Sequence, residues 1–283
     1  MTLFSIAVIG AGTMGNGIAQ VCAVAGFDVM LLDISDAALE RGVSTIRKNL
    51  ERQVSKQTLS AEEAEAAKAR IRCTTDYAQL NATQLVIEAA TESLELKLRL
   101  LTQIASHVGA DCVIASNTSS LSITQLAASI ERPERFIGLH FFNPVPMMGL
   151  IEVIRGLQTA DETHLVAIKL AERLNKTAIT AGNRPGFVVN RILVPMINEA
   201  ILVLQEGLAT AQDIDDGMRL GCNQPIGPLA LADLIGLDTL LAIVEAFHEG
   251  FNDSKYRPAP LLKEMVAAGY LGRKSGRGFF VYG

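Results

Sequence analysis

Gly10-Ala11-Gly12-Thr13-Met14-Gly15 is a G-x-G-x-x-G that interrupts two apolar segments of different kinds. Before it lies a short strand-like run, Ser5–Ile9, and after it a helical pattern from Met14 to Ala25 that stops at Gly26. Asp28–Leu32 then reads as a second strand, with Asp33 at its end. Strand, glycine turn, helix, strand is a βαβ unit with a right-handed crossover, which commits the chain to a parallel sheet. In that setting the glycines have separate tasks. Gly10 permits the tight turn, Gly12 lets backbone approach a pyrophosphate, and Gly15 lets the helix pack closely on the sheet. Unpaired N–H groups and the dipole at the helix start favour the phosphates. The rival reading is a plain strand–helix turn with Asp33 as a solvated strand end.

Asp33 also bears on which dinucleotide fits. A carboxylate accepts hydrogen bonds from a ribose diol but repels a 2′-phosphate, by roughly 4 kcal/mol for two like charges at ~4 Å and an effective dielectric of 20. The following residues are Ile34 and Ser35, so no adjacent Arg relieves that repulsion. The expected cofactor is NAD.

Residues 35–70 are charged, with apolar positions at helical spacing (Leu39, Val43, Ile46, Leu50, Val54). They predict a helical hairpin broken near Thr58–Ser60, where Ser60 and Glu63 make a capping box. Strand-like runs follow at Leu85–Ile87, Cys112–Ala115, Phe136–Phe142 and Ile151–Ile154, with helical stretches near Glu95–His107 and Glu162–Leu174. Such alternation predicts a mostly parallel, helix-covered sheet. At Gly182-Asn183-Arg184-Pro185-Gly186 the pattern breaks and is helical almost to the end. The expected architecture is a doubly wound, Rossmann-type α/β domain over residues 1–184 and an all-helical domain over 185–283. Pro185 suits a first helical turn, and Pro195 predicts a kink in the helix that follows.

Composition excludes several classes of partner. With 25 basic against 30 acidic side chains in 283 residues, no face is basic enough for nucleic acid. Cys22, Cys73, Cys112 and Cys222 are far apart, which suits neither a zinc cluster nor a disulfide framework, and metal is not expected. Met1-Thr2-Leu3-Phe4 lacks the basic start of a signal peptide, and no apolar run approaches the ~20 residues of a membrane span. A cytoplasmic protein without membrane contact is expected.

A second cluster falls where later strands end. Ser116-Asn117-Thr118-Ser119-Ser120 follows the strand at Cys112–Ala115. His140 precedes Phe141-Phe142-Asn143-Pro144, and Glu152 stands inside the apolar run Leu150–Ile154. A charged residue inside such a run is paired or poised at a site. Together with Gly10–Gly15, the HFFNP segment and PGF-x-x-NR (Pro185–Arg191), these residues resemble the short-chain L-3-hydroxyacyl-CoA dehydrogenases, including bacterial 3-hydroxybutyryl-CoA dehydrogenases. The resemblance covers essentially the whole chain.

That resemblance implies His140 as the base, Glu152 as its partner, and Ser119 and Asn190 as polar groups around the reacting oxygen. It also implies cofactor contacts from Gly10, Gly12, Thr13, Met14, Gly15, Asp33, Glu92, Lys97, Ser119, Asn143 and Lys274. An acyl-CoA substrate would meet Ser119, Asn190 and, among the basic residues Arg47, Lys48, Arg52 and Lys56, Lys56 in particular. The helical domain would supply substrate cleft and homodimer contacts, with Ile192–Leu204 and Leu229–Val244 as its apolar surfaces. The chemistry suits these side chains: a neutral imidazole, with an unperturbed pKa of about 6.5, exchanges an alcohol proton near neutral pH. An acidic partner holds its tautomer and stabilises the imidazolium.

Plainer roles stand beside these. A lone strand histidine is ordinarily structural, a reading open to His140 as well, and His107, His164 and His248 read as structural. Ser119 could cap a helix, Asn190 could serve packing, and Lys97 or Lys56 could be solvated helix charges. Two other functions fit the same fold: a dehydrogenase of a free hydroxy acid, for which no convincing basic clamp is visible, and a non-catalytic dinucleotide-binding protein.

Overall fold

The computed structural model describes residues 5–283; Met1–Phe4, including the segment read above for a signal peptide, lie outside the described residues. Contacts divide the chain into two units, Met1–Asn183 and Arg184–Gly283.

The first unit opens with β1 (Ser5–Ile9), α1 (Thr13–Val24), β2 (Asp28–Leu32), α2 (Asp36–Ser55), α3 (Ala61–Arg70) and β3 (Ile71–Thr74). It continues with β4 (Leu85–Glu88), α4 (Leu94–Ala105), β5 (Val113–Ser116), α5 (Ile123–Ala127), β6 (Phe136–Phe141), β7 (Leu150–Arg155), α6 (Asp161–Arg173) and β8 (Thr177–Gly182). These make one eight-stranded sheet in the order β3-β2-β1-β4-β5-β6-β7-β8. Pairing is parallel except between β6 and β7. The order reverses between β1 and β4, the point at which doubly wound sheets bind ligands beyond their strand C-termini. Aliphatic side chains such as Ile6, Val8, Leu31, Ile87, Ile137 and Leu139 form the core beneath that edge. The α2–α3 hairpin turns where expected. Ser60 Oγ accepts from Glu63 N–H, and Glu63 Oε2 accepts from Ser60 N–H.

The second unit contains α7 (Val189–Gln205), α8 (Ala211–Asp216), α9 (Pro228–Ile235), α10 (Leu237–Phe251) and α11 (Pro260–Ala267). Val194, Ile197, Ile201, Leu229, Leu240, Val244 and Phe247 pack its core. The C-terminal residues are held by Asp233, whose carboxylate accepts from Phe279 N–H, Phe280 N–H and the Tyr282 hydroxyl.

One expectation needs correction. Pro185 does not open a helix: it sits in a turn whose Gly186 and Phe187 have φ of +76° and +51°, and α7 begins only at Val189. Helix α7 carries Pro195 within its length, a residue with no N–H to give to the Arg191 carbonyl. Among the described residues no helix is long and apolar enough to cross a membrane.

Candidate active site

Parallel register sets Ile9 beside Glu88, Glu88 beside Ser116, and Ser116 beside Gly138. The residues just beyond these pairs, Gly10, Ala89, Asn117 and His140, therefore emerge at one edge of the sheet. The glycine turn and the imidazole are brought to the same side by topology alone. A groove of about 630 Å³ opens instead around the strand N-termini, lined by Phe27, Val113 and Leu165 among others, and holds none of these residues.

Close packing explains the glycines. Gly10 has φ of +101°, and a Cβ there would lie 2.6 Å from the Ala90 Cα. A Cβ on Gly15 would overlap the Gly10 carbonyl. Gly12 differs: it caps α1 without a side-chain hydrogen bond, and nothing lies within 4 Å of where its Cβ would be. Exposed Thr13 and half-buried Met14 follow it. The helix start is an open cradle for an anionic group, which is what a pyrophosphate requires.

Asp33 clamps the glycine turn. Its Oδ2 accepts from Ala11 N–H at 2.8 Å and its Oδ1 from Ser35 N–H at 3.2 Å. A carboxylate offers about four lone-pair sites, so acceptor capacity remains for a ribose diol. Replacing Asp33 by Ala removes the clamp on the glycine turn together with the acceptor capacity left for a diol. Hydrogen bonds to a charged group contribute ~1.5–3 kcal/mol, so NADH is expected to bind at least about tenfold more weakly to Asp33→Ala. Fluorescence titration checks this; unchanged affinity would remove Asp33 from the cofactor site.

His140 and Glu152 are opposite one another in the antiparallel β6–β7 register. The imidazole Nδ1 lies 2.6 Å from Glu152 Oε2. Glu152 is fully buried and His140 is 7% exposed, with its ring tilted against Phe142 at 4.4 Å between centroids. With Glu152 ionised, and so only accepting, the contact calls for the imidazole tautomer that carries its proton on Nδ1.

Ser119 is half-buried and points at Glu92. Its N–H and its hydroxyl both donate to Glu92 Oε1, at 2.8 and 3.0 Å, and the Thr118 hydroxyl joins them at 2.8 Å. The helix cap that Ser119 might have provided belongs to Ser122, whose hydroxyl accepts from Gln125 N–H. Lys97 is not a solvated helix charge: it is wholly buried, its ammonium 2.6 Å from Glu88 Oε2 and 3.9 Å from Glu92 Oε2. Asn143 is exposed in the turn after β6, joined to Pro144 by a cis peptide bond. Lys56 is exposed at the C-terminal cap of α2, one face with Lys48 and Arg52 by their four-residue spacing.

In the second unit, Asn190 is half-buried in the first turn of α7, and Lys274 is exposed and ion-paired with Asp238. The Lys274 hydrogen bond holds the Asp238 carboxyl below its ordinary range. A depressed folded value means the contact stabilises above that range and is lost as pH falls through it. The gap in Tm between the native chain and Asp238→Asn should therefore close as pH drops below about 4. A gap that persists unchanged into acid would show that the pair adds nothing. Its exposure keeps the effect small.

Glu88 is absent from the sequence expectations, and Ser116 and Asn117 stood in the expected cluster without a role of their own. The signal for Glu88 was present: it is an acidic residue ending an apolar strand, as Glu152 is an acidic residue within one.

Known proteins were compared with the chain. A family profile for the 3-hydroxyacyl-CoA dehydrogenase NAD binding domain matches residues 5–184, and one for the 3-hydroxyacyl-CoA dehydrogenase C-terminal domain matches residues 186–282. The 3-hydroxybutyryl-CoA dehydrogenase of Bradyrhizobium diazoefficiens is 50% identical over 277 residues, spanning 98% of this chain and 94% of that one. A probable 3-hydroxybutyryl-CoA dehydrogenase of Bacillus subtilis is 48% identical, over 100% of this chain and 98% of its own. The crystal structure of (S)-3-hydroxybutyryl-CoA dehydrogenase from Ralstonia eutropha superposes with a TM-score of 0.98 at 58% identity, covering both chains fully.

Proposed function

Because the chain belongs to the 3-hydroxyacyl-CoA dehydrogenase family and uses NAD, we propose that it interconverts an (S)-3-hydroxyacyl-CoA and its 3-ketoacyl-CoA with His140 and Glu152 as the acid–base pair. The names of its relatives favour 3-hydroxybutyryl-CoA as the substrate. The observation that carries the chemistry is the 2.6 Å contact between His140 Nδ1 and buried Glu152, at the sheet edge that also bears the glycine turn.

The cofactor supplies a nicotinamide ring able to accept a hydride. The glycine turn and the start of α1 hold its pyrophosphate, and Asp33 its ribose. His140 Nε2 takes the proton of the C3 hydroxyl during oxidation and returns it in the reverse direction. Glu152 keeps the ring in the tautomer that leaves Nε2 basic, and its buried charge stabilises the imidazolium. Ser119 has one hydroxyl proton, and it is directed to Glu92. In that orientation Ser119 offers the substrate lone pairs, whereas donation to the C3 oxygen requires its hydroxyl to rotate away from Glu92. Asn190, in the helical unit, is assigned as a substrate-binding amide. The face of α2 that bears Lys48, Arg52 and Lys56 is assigned to the phosphates of coenzyme A. The helical unit is assigned a homodimer contact, which sedimentation tests. The free thiols of Cys22, Cys73, Cys112 and Cys222 suit a cytoplasmic setting.

Purified protein should oxidise NADH with acetoacetyl-CoA and do so far more slowly with free acetoacetate. Equal or faster use of the free acid would favour a hydroxy-acid dehydrogenase. NADH binding without turnover on either would favour a non-catalytic role.

A further inference from the structure

Beneath the candidate site lies a buried ion pair with no part in the chemistry above. Glu88 closes β4 and Lys97 lies in the first turn of α4, and neither side chain is exposed at all. All three donors of the ammonium are engaged. They go to Glu88 Oε2 at 2.6 Å, the Ser116 hydroxyl at 3.2 Å and the Asn117 carbonyl at 3.1 Å. Glu88 Oε2 also accepts from the Ser116 hydroxyl at 2.7 Å, and its Oε1 from Ala90 N–H at 2.9 Å.

Replacing such a pair by well-packed apolar residues is often neutral or stabilising, so stability alone does not account for it. Its connections do. On one side, Ala90 is the residue on which Gly10 packs. On the other, Asn117 is gripped twice: Lys97 holds its carbonyl, and its N–H donates to the Glu88 carbonyl at 2.7 Å. The Asn117 side-chain Oδ1 then accepts from Phe141 N–H at 2.9 Å. The β5–β6 register ends at Ser116 and Gly138, short of His140 and Phe141. Beyond that point a side-chain amide, rather than a strand carbonyl, receives the Phe141 N–H next to His140.

We propose that Asn117, anchored by the buried Glu88–Lys97 pair, is a positioning residue that sets the end of β6, and so the His140 imidazole, relative to the glycine turn. This rests on His140 being the proton-exchanging group. Asn117 acts through the backbone it holds. The dependence is steep, since misplacing a reacting group by ~1 Å costs on the order of 100-fold in rate.

Asn117→Ala removes the acceptor and leaves Glu88, Lys97 and Ser116 in place; Asn117→Asp keeps an acceptor oxygen at the same reach. Each is compared with the native chain for kcat on acetoacetyl-CoA, for NADH affinity, and for the proton NMR signal of the His140 Nδ1–H in cofactor-free protein, identified by its loss in His140→Gln. Asn117→Ala should lower kcat by up to about 100-fold with NADH affinity kept, and should shift or broaden the imidazole proton. Asn117→Asp should restore most of both. A native kcat and an unmoved imidazole proton in Asn117→Ala would overturn the proposal, as would an Asn117→Asp no better than the alanine variant. If the native chain itself fails to turn over acetoacetyl-CoA, the reaction assignment falls, and the imidazole proton alone decides the positioning role. Should the alanine variant not fold, Asn117→Thr, which shortens the acceptor's reach while leaving less of a void, carries the same expectations.

Discussion

Replacing His140 by Gln is expected to lower kcat on acetoacetyl-CoA by about 10²–10⁴-fold, the range that a positioned acid–base group contributes. Gln is the informative choice. Alanine would leave Glu152 buried with no donor opposite it, at a cost of several kcal/mol or with protonation of the acid. The Gln amide can still donate to Glu152 Oε2 but cannot exchange a proton at neutral pH. The rate loss should therefore come with a Tm close to that of the native chain and with unaltered NADH affinity, because Gly10–Gly15 and Asp33 are untouched. Steady-state kinetics, thermal melting and fluorescence titration on one preparation separate these effects. A kcat within a few-fold of native would mean that another group moves the proton.

Lys97→Met is expected to have the largest effect on stability, a loss of about 3–5 kcal/mol. The methionine fills much of the lysine's volume, so the loss arises from Glu88. Its carboxylate would keep bonds from Ser116 and Ala90 but would lose its counter-charge in a site with no water access. The double variant Glu88→Gln/Lys97→Met removes both charges and should recover a large part of that stability. Urea unfolding of the two variants checks the pair. A single variant within ~1 kcal/mol of native would show that Glu88 is readily neutralised or solvated, and that the pair is not the anchor described above.

Much of the scaffold was legible because the period of apolar residues and the turn chemistry agreed. Asp28–Leu32 is a strand over the expected residues, and the Ser60–Glu63 capping box begins α3. The two strands that were missed, Ile71–Thr74 and Thr177–Gly182, are the edges of the sheet. Edge strands bury little: Arg72 and Cys73 are exposed, as are Thr177, Thr180 and Gly182, so neither segment shows the continuous apolar run of an inner strand. Pro185 misled because a proline favours both a first helical turn and a loop. The left-handed Gly186 and Phe187 decide for the loop.

The site was legible to the extent that burial conflicts with charge. Glu152 amid aliphatic neighbours announced a partner; the family resemblance named His140, and the β6–β7 register sets the two opposite one another. Lys97 sits in an amphipathic helix among ordinary surface charges, and its inward direction depends on Glu88, nine residues away. Glu92 and Ser119 are 27 residues apart, so the engagement of the serine's proton is a property of the folded edge and of no local motif.

The most direct measurement is a crystal structure of the complex with NAD and acetoacetyl-CoA. His140 Nε2 should lie about 2.6–3.2 Å from the C3 oxygen of the thioester, with Nδ1 still bonded to Glu152. A ketone oxygen held by other groups, with the imidazole out of hydrogen-bond reach, would contradict the assignment of His140 as the acid–base residue.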